Sequence, residues 1–286
     1  MNFADAAVRS HRELLAAIDD ALRHLRKPPP LADEALHSAR KAIKRARAAL
    51  RLLRECLGET AYRKENAALR DAGRQLAPAR NAKALADTFS ALRGRNAGGL
   101  DQPRYYGTVS RLHFQRLAAR ASFDQKSVAL RSCIGVLAQC RERARRTRIA
   151  GALPAKAVAG LRRIHRAGRK AFARATKAGT PEVLHEWRKQ VKYLSNALDI
   201  LGVSAGHPLA GAHRRTVTLA GKLGDDHDLA ELERFLAGEP AGVIDNGAKQ
   251  ALFALIARRR AKLQKRARDI GEGIYRGKPR RLLAKA

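Results

Sequence analysis

Two stretches of the chain carry one cationic spacing. His37, Arg40, Lys41 and Lys44 form the pattern His-x-x-Arg-Lys-x-x-Lys, and His185, Arg188, Lys189 and Lys192 repeat it. These residue types are suited to holding oxyanions: Arg and Lys bring positive charge with several N–H donors, and a protonated imidazole donates from both nitrogens. On a helix turning about 100° per residue, the four positions of each copy fall within about a quarter to a third of the circumference. The spacing therefore predicts two cationic stripes, the first extended along its axis by Arg47 and Arg51. The other reading of each histidine is a neutral packing residue that donates to a backbone carbonyl.

An ordinary solvated helix face would mix the signs of charge, because opposite charges one turn apart stabilise a helix and like charges destabilise it. No Asp or Glu lies between His37 and Arg54. A bound anion would offset that cost. Weaker stripes occur elsewhere. Arg162, Arg166 and Arg169 share a face with Arg163 and Lys170 beside them, Arg70 and Arg74 are one turn apart, and Arg258, Arg259, Arg260, Lys262, Lys265 and Arg266 crowd one segment. The candidate anion-binding set is the two motifs together with Arg47, Arg51, Arg70, Arg74, Arg162, Arg166 and Arg169.

Catalytic chemistry has thinner support. His227 and Asp228, beside Asp225 and Asp226, could start a metal phosphohydrolase site of the HD type, with His185, His207 or His213 as further ligands. The competing reading makes Asp225 or Asp226 the cap of a helix over 226–236, with Asp228 in its first turn. No complete ligand set, phosphate loop or nucleophile motif is visible. The expectation is binding without catalysis, with no metal and no cofactor. Cys56, Cys133 and Cys140 fit neither a disulfide framework nor a CxxC metal spacing, which agrees with a reducing cytoplasm.

The elements that would position these residues are helical throughout. Helices are expected over 4–26, 32–57 (ended by Gly58), 60–77, 81–93, two within 104–149, then 154–177, 181–202, 208–222, 226–236 and 248–272. Breaks fall at Pro28-Pro29-Pro30, Gly94–Pro103, Gly151–Pro154 and Gly238–Gly247. The repeat reaches beyond the motifs: without gaps, Leu36, Ala49, Leu50 and Leu53 match Leu184, Ala197, Leu198 and Leu201, and Ile43 pairs with Val191. The two histidines are 148 positions apart, close to half of the 286 residues. An internal duplication accounts for this, with 1–150 as one helical half and 151–286 as the other. Leu36, Ile43, Leu50 and Leu53, and in the second copy Leu184, Trp187, Val191, Leu194, Leu198 and Leu201, lie opposite the cations and should face a core.

Overall charge agrees with the stripes. The chain holds 59 Lys and Arg against 26 Asp and Glu, a formal +33, so a polyanionic partner is expected: nucleic acid, an anionic membrane surface or a phosphate polymer. Hydrophobic residues at 45% are enough for a buried core, which excludes a disordered basic tail. No apolar run is long enough for a membrane span, and the charged first thirty residues exclude a signal-peptide core. Aromatics are only 5%, and apart from Tyr193 at one edge none interleaves with the cations. That weakens base stacking, although nonspecific phosphate contacts to DNA or RNA stay open.

The twin His-x-x-Arg-Lys-x-x-Lys helices, the duplication, LRRIHRAGRKAF at 161–172 and LGDDHDLAEL at 223–232 resemble the CHAD family, the conserved histidine α-helical domain. The resemblance spans about residues 4–280. It implies an all-α fold of two pseudo-symmetric four-helix-type halves around a basic central surface that binds inorganic polyphosphate, and association with polyphosphate granules. Carried over by position, the ligand-facing residues it implies are His37, Arg40, Lys41, Lys44, His185, Arg188, Lys189 and Lys192. The second stripe departs past Lys192, where Ser195, Asn196 and Asp199 replace the Arg-rich continuation of the first, so the amino-terminal copy is expected to bind more strongly.

Overall fold

The computed structural model describes residues 5–28, 31–95, 100, 103–125, 127–149, 154–203, 205–240 and 242–276. Among them every extended element is helical, so the all-α class holds. The order is α1 (Ala6–Leu25), α2 (Asp33–Leu52), the single turn α3 (Arg54–Leu57), α4 (Glu59–Gln75), α5 (Ala77–Gly94), a 3-10 turn at Pro103–Tyr105, α6 (Tyr106–Gln125), α7 (Ser127–Arg146), α8 (Pro154–Ala178), α9 (Pro181–Ile200), α10 (Ala210–Ala237) and α11 (Asn246–Tyr275). Pro29-Pro30 and most of the breaks expected at 94–103 and 151–154 lie outside the described residues.

Local chemistry sets several boundaries. Asp33 and Glu34 in the first turn of α2 and Glu182 in that of α9 oppose the positive end of each helix dipole. The Asp245 side chain accepts from the backbone N–H of Ala248 at 2.7 Å and caps α11. The helix expected over 32–57 is interrupted at Leu53, and the chain then turns at Gly58, whose φ of 79° suits a residue without Cβ.

A larger correction concerns 208–236. Two helices were expected there, the second capped by Asp225 or Asp226; instead α10 runs unbroken from 210 to 237. Ala212, Thr216, Leu219, Leu223, Asp226 and Ala230 are all buried at helical spacing, so Asp226 occupies a core position in mid-helix. Packing along that stripe outweighs the cost of Gly221 and Gly224, about 1 kcal/mol each relative to Ala.

Two cores hold the fold. One gathers Ile18, Leu50, Leu69, Leu137, Leu161, Trp187, Leu219 and Ile274, drawn from α1, α2, α4 and α7–α11. The other joins Phe89 of α5, Tyr105 and Leu112 to Leu232 of α10 and Leu252 and Ile256 of α11. Each core takes residues from both sides of position 150. The stretches 1–150 and 151–286 thus interlock instead of closing a core apiece. Close helix approaches rest on glycines. A Cβ on Gly160 of α8 would sit 2.6 Å from the Leu52 carbonyl oxygen at the end of α2, and one on Gly271 of α11 would sit 2.7 Å from the Trp187 ring.

Candidate functional site

Helices α2 and α9 pack on each other, and their apolar faces are buried as the repeat predicts: Leu36, Ile43 and Leu50 on α2 with Leu53 at its carboxyl cap, and Leu184, Trp187, Val191, Leu194 and Leu198 on α9 with Leu201 at its cap. Since the cations lie opposite, burying those faces turns both stripes toward a common opening. Helix α4, the start of α5 and one residue of α10 complete an open basin of about 390 Å³. Arg40, Lys44 and Arg47 line it from α2, Arg70 and Arg74 from α4, His185, Arg188, Lys189 and Lys192 from α9, and His227 from α10. Eight Arg and Lys and two His face this space, and no Asp or Glu is among the lining residues. Ile43, Leu69, Gly73 and Tyr193 supply apolar floor, with Asn81 and Asn196 at the edge.

Neutral oxygen acceptors hold two of these cations, and Arg51 beside them, in place without cancelling their charge. Arg40 donates to the Gly73 carbonyl at 2.6 Å, Arg47 to Asn66 Oδ1 at 3.1 Å and Arg51 to the Tyr62 hydroxyl at 2.7 Å. The Arg51 guanidinium lies 3.9 Å from the centroid of the Tyr193 ring, and that of Arg47 5.8 Å. Burial lowers the Arg47 pKa, with Arg51 and Arg70 adding to the effect. Burial pushes the Tyr193 hydroxyl up, but Arg51 and Arg47 outweigh it and hold the group below the ordinary tyrosine value. Carboxylates reach the rim: Asp71 takes Arg70 at 2.9 Å and Arg74 at 3.4 Å, and Glu186 takes Lys189 at 2.5 Å.

The histidine of the second motif meets another histidine. His185 Nδ1 lies 3.3 Å from His227 Nδ1, and Glu231 is 4.0 Å from the latter nitrogen. Burial, then Arg188 and Lys189, lower the His185 pKa. Arg188 is only 9% exposed, the most enclosed charge of the second stripe.

The remaining expected residues are dispersed. His37 is exposed and borders a different cleft with Asp33, Glu34, Lys83 and Asp87, because α5 packs against the first turns of α2. Lys41 is exposed beyond the basin lining, and Arg51 lies under its end against Tyr62 and Tyr193. Arg162, Arg166 and Arg169 are exposed on α8 and do not line the basin; their neighbour Arg163 pairs with Glu55 of α3. His227 is the lining residue that helix periodicity missed, although LGDDHDLAEL contains it.

The residues considered for a metal are engaged separately. Asp226 accepts from Arg260 at 3.2 Å and from Gln264 at 2.9 Å, His213 faces Asp199 at 2.9 Å, and His207 Nδ1 accepts from the Leu209 backbone at 3.0 Å. No group of three His, Cys, Asp or Glu that could hold a metal ion occurs among the described residues. Burial pushes the thiols of Cys133 and Cys140 up to about 12, far from nucleophilic range. No described helix is long and apolar enough to cross a membrane.

Two solved structures share this architecture. PptA from Streptomyces chartreusis is 19% identical with a TM-score of 0.64, the alignment covering 95% of this chain and 99% of that one. The CHAD domain from the plant Ricinus communis is 18% identical with a TM-score of 0.63, covering 96% and 91%. At such identities the likeness establishes the fold. No curated protein matches the chain by sequence. The family described as CHAD domain matches residues 16–237, well over half of the sequence and including both histidine motifs, and the chain is a member of that CHAD family.

Proposed function

We propose that the basin binds inorganic polyphosphate and does not turn it over. The observation that carries this reading is the lining: eight Arg and Lys and two His around about 390 Å³, with no carboxylate among them. Such a surface attracts linked phosphates and rewards chain length, because successive phosphates engage successive cations at high effective concentration. Nucleic acid is the rival ligand. Single-strand binding needs an aromatic face open to bases, and the one aromatic residue of the lining, Tyr193, is buried with Arg51 over its ring. Association with polyphosphate granules follows from this reading; descent of the two halves from one duplicated unit is supported separately, by the repeated motif at 37–44 and 185–192.

Competition at physiological salt tests it. Long-chain polyphosphate should displace labelled duplex DNA and RNA, while neither displaces polyphosphate at equal phosphate concentration, and triphosphate should bind much more weakly than the long chain. Equal affinity for triphosphate and long chains, or preference for nucleic acid, would overturn the proposal. Phosphate release in the presence of Mg²⁺ or Mn²⁺, abolished by Asp228→Ala, would replace binding with hydrolysis.

A further inference from the structure

We propose a second oxyanion site, separate from the basin, in the cleft between the carboxyl end of α5 and the middle of α11. The cleft encloses about 290 Å³ and is lined by Leu92, Arg95, Leu255, Arg258, Arg259 and Lys262. Four of the six lining residues are cations and none is acidic. None of the four side chains has a carboxylate or carbonyl partner among the described residues. The neighbouring Arg260, by contrast, is held by two carboxylates of α10, Asp226 at 3.2 Å and Glu233 at 2.7 Å.

A solvated helix surface would leave those guanidinium donors in water, but the Arg259 Nε is buried and has no hydrogen-bond acceptor. A buried N–H without an acceptor is costly, and the guanidinium that carries it is left to offer its terminal N–H donors to an oxyanion in the cleft. Arg258 and Lys262 stack like charges one turn apart, an arrangement that an anion between them relieves. The apolar floor strengthens the attraction, since buried Leu92 and half-buried Leu255 exclude water beneath the charges. The carboxyl end of α5 opposes an anion with about half a charge, against four full positive charges.

The cleft cannot be an extension of the basin for a short ligand. Ala77 and Asn81 at the start of α5 line the basin, whereas Arg95 stands at its other end. At 1.5 Å per residue the separation along α5 is about 20 Å, far longer than triphosphate. Triphosphate therefore meets two independent sites, and a long phosphoanhydride chain can occupy both. The choice of a phosphoanhydride as ligand rests on the polyphosphate reading of the basin; the oxyanion site itself rests on its own residues.

The test is isothermal titration of three variants with sodium triphosphate and with long-chain polyphosphate. They are Arg258→Gln/Arg259→Gln/Lys262→Gln in the cleft, Lys44→Gln/Lys189→Gln/Lys192→Gln in the basin, and Lys177→Gln/Arg214→Gln/Arg215→Gln as a control for lost charge. Gln preserves helix propensity, and far-UV circular dichroism verifies the fold. The cleft variant should lose one of two triphosphate-binding events, which the basin variant keeps. If the cleft takes a distal segment of the chain bound in the basin, the cleft variant also loses about tenfold or more in long-chain affinity. If it takes free short phosphates alone, long-chain affinity stays and only the triphosphate event disappears. Wild-type isotherms for both ligands in the cleft variant, or an equal loss in the control, would overturn the second site. A basin variant that binds both ligands like wild type would instead overturn the polyphosphate reading of the basin and leave the cleft standing.

Discussion

The Nδ1 atoms of His185 on α9 and His227 on α10 are 3.3 Å apart, with their rings tilted by 48°. Two nitrogens at that distance can share one proton, and a second proton on the pair is repelled. Arg188 and Lys189 lower the His185 pKa beyond the effect of burial, while Glu186 and Glu231 favour protonation. A polyanion in the basin adds negative charge beside the pair and so favours the protonated form. Binding should therefore take up protons and tighten as pH falls from 8 to 5.5. Titration in two buffers of different ionisation heat measures the uptake directly. His185→Gln/His227→Gln should flatten the pH profile, and an unchanged profile in that variant would leave recognition to Arg and Lys alone. His37→Ala, outside the basin, should leave the profile intact.

The salt dependence of binding should report how many basin cations are engaged. Lys44→Gln and Lys192→Gln should each weaken polyphosphate binding at low salt and reduce the slope of log affinity against log salt by about one. Fluorescence anisotropy between 50 and 300 mM salt, roughly the range over which such slopes are resolved, measures it. A slope that stays at the wild-type value would remove the substituted lysine from the contact surface.

Asp226 should act on stability. Its side chain is 3% exposed and that of Arg260 is 14% exposed, so Asp226→Ala removes one of the two carboxylates on an enclosed guanidinium, which keeps Glu233 at 2.7 Å, and leaves Gln264 without its acceptor, at a cost of about 1–3 kcal/mol. Asp226→Leu/Arg260→Met, which removes both charges, should recover much of the loss. Urea unfolding followed by circular dichroism distinguishes these outcomes. If Asp226→Ala keeps wild-type stability, the bonds of Asp226 to Arg260 and Gln264 do not hold α10 to α11.

Acid should destabilise the fold through His165. This residue is buried on α8, 3.3 Å from the Ile274 carbonyl, and burial lowers its pKa, with the Ile274 hydrogen bond opposing and Arg169 adding to the shift. A folded-state pKa below the unfolded value of about 6.5 means that the unfolded chain binds more protons under acid conditions. The stability is fully present above about pH 6.5 and declines as pH falls below it. Melting curves between pH 8 and 5 should show the decline, and His165→Met should be less stable at pH 8 but flatter in pH dependence.

Much of the basin could be read from the chain, because one helical period fixes two faces at once. The buried leucines at 36, 50, 53, 184, 198 and 201 determine that Arg40, Lys44, Arg188 and Lys192 point away from the core. Periodicity carries no information about what a neighbouring helix covers. Thus His37 and His185 hold the same place in the same motif, yet α5 and its Lys83 and Asp87 meet the first, and His227 meets the second. The same limit explains Arg162, Arg166 and Arg169, which form a true stripe on a face of α8 turned away from the basin. Asp226 was ambiguous for a related reason: its partners Arg260 and Gln264 are 34 and 38 residues away, beyond any local pattern.

The interlocked cores bear on how the molecule is made. Helix α11 supplies Leu252 and Ile256 to one core and Ala267 and Ile274 to the other. During synthesis the core that holds Ile274 cannot close until that residue has left the ribosome, nor the other until Leu263 has, and contacts of such long sequence separation form slowly. For that interval a strongly cationic, partly apolar chain is held beside ribosomal RNA, a polyanion at very high local concentration. The carboxylates that neutralise outward-facing arginines early, such as Glu13 with Arg45 and Glu59 with Arg54, thus have a second consequence: they reduce the charge of the nascent chain while it is still incomplete.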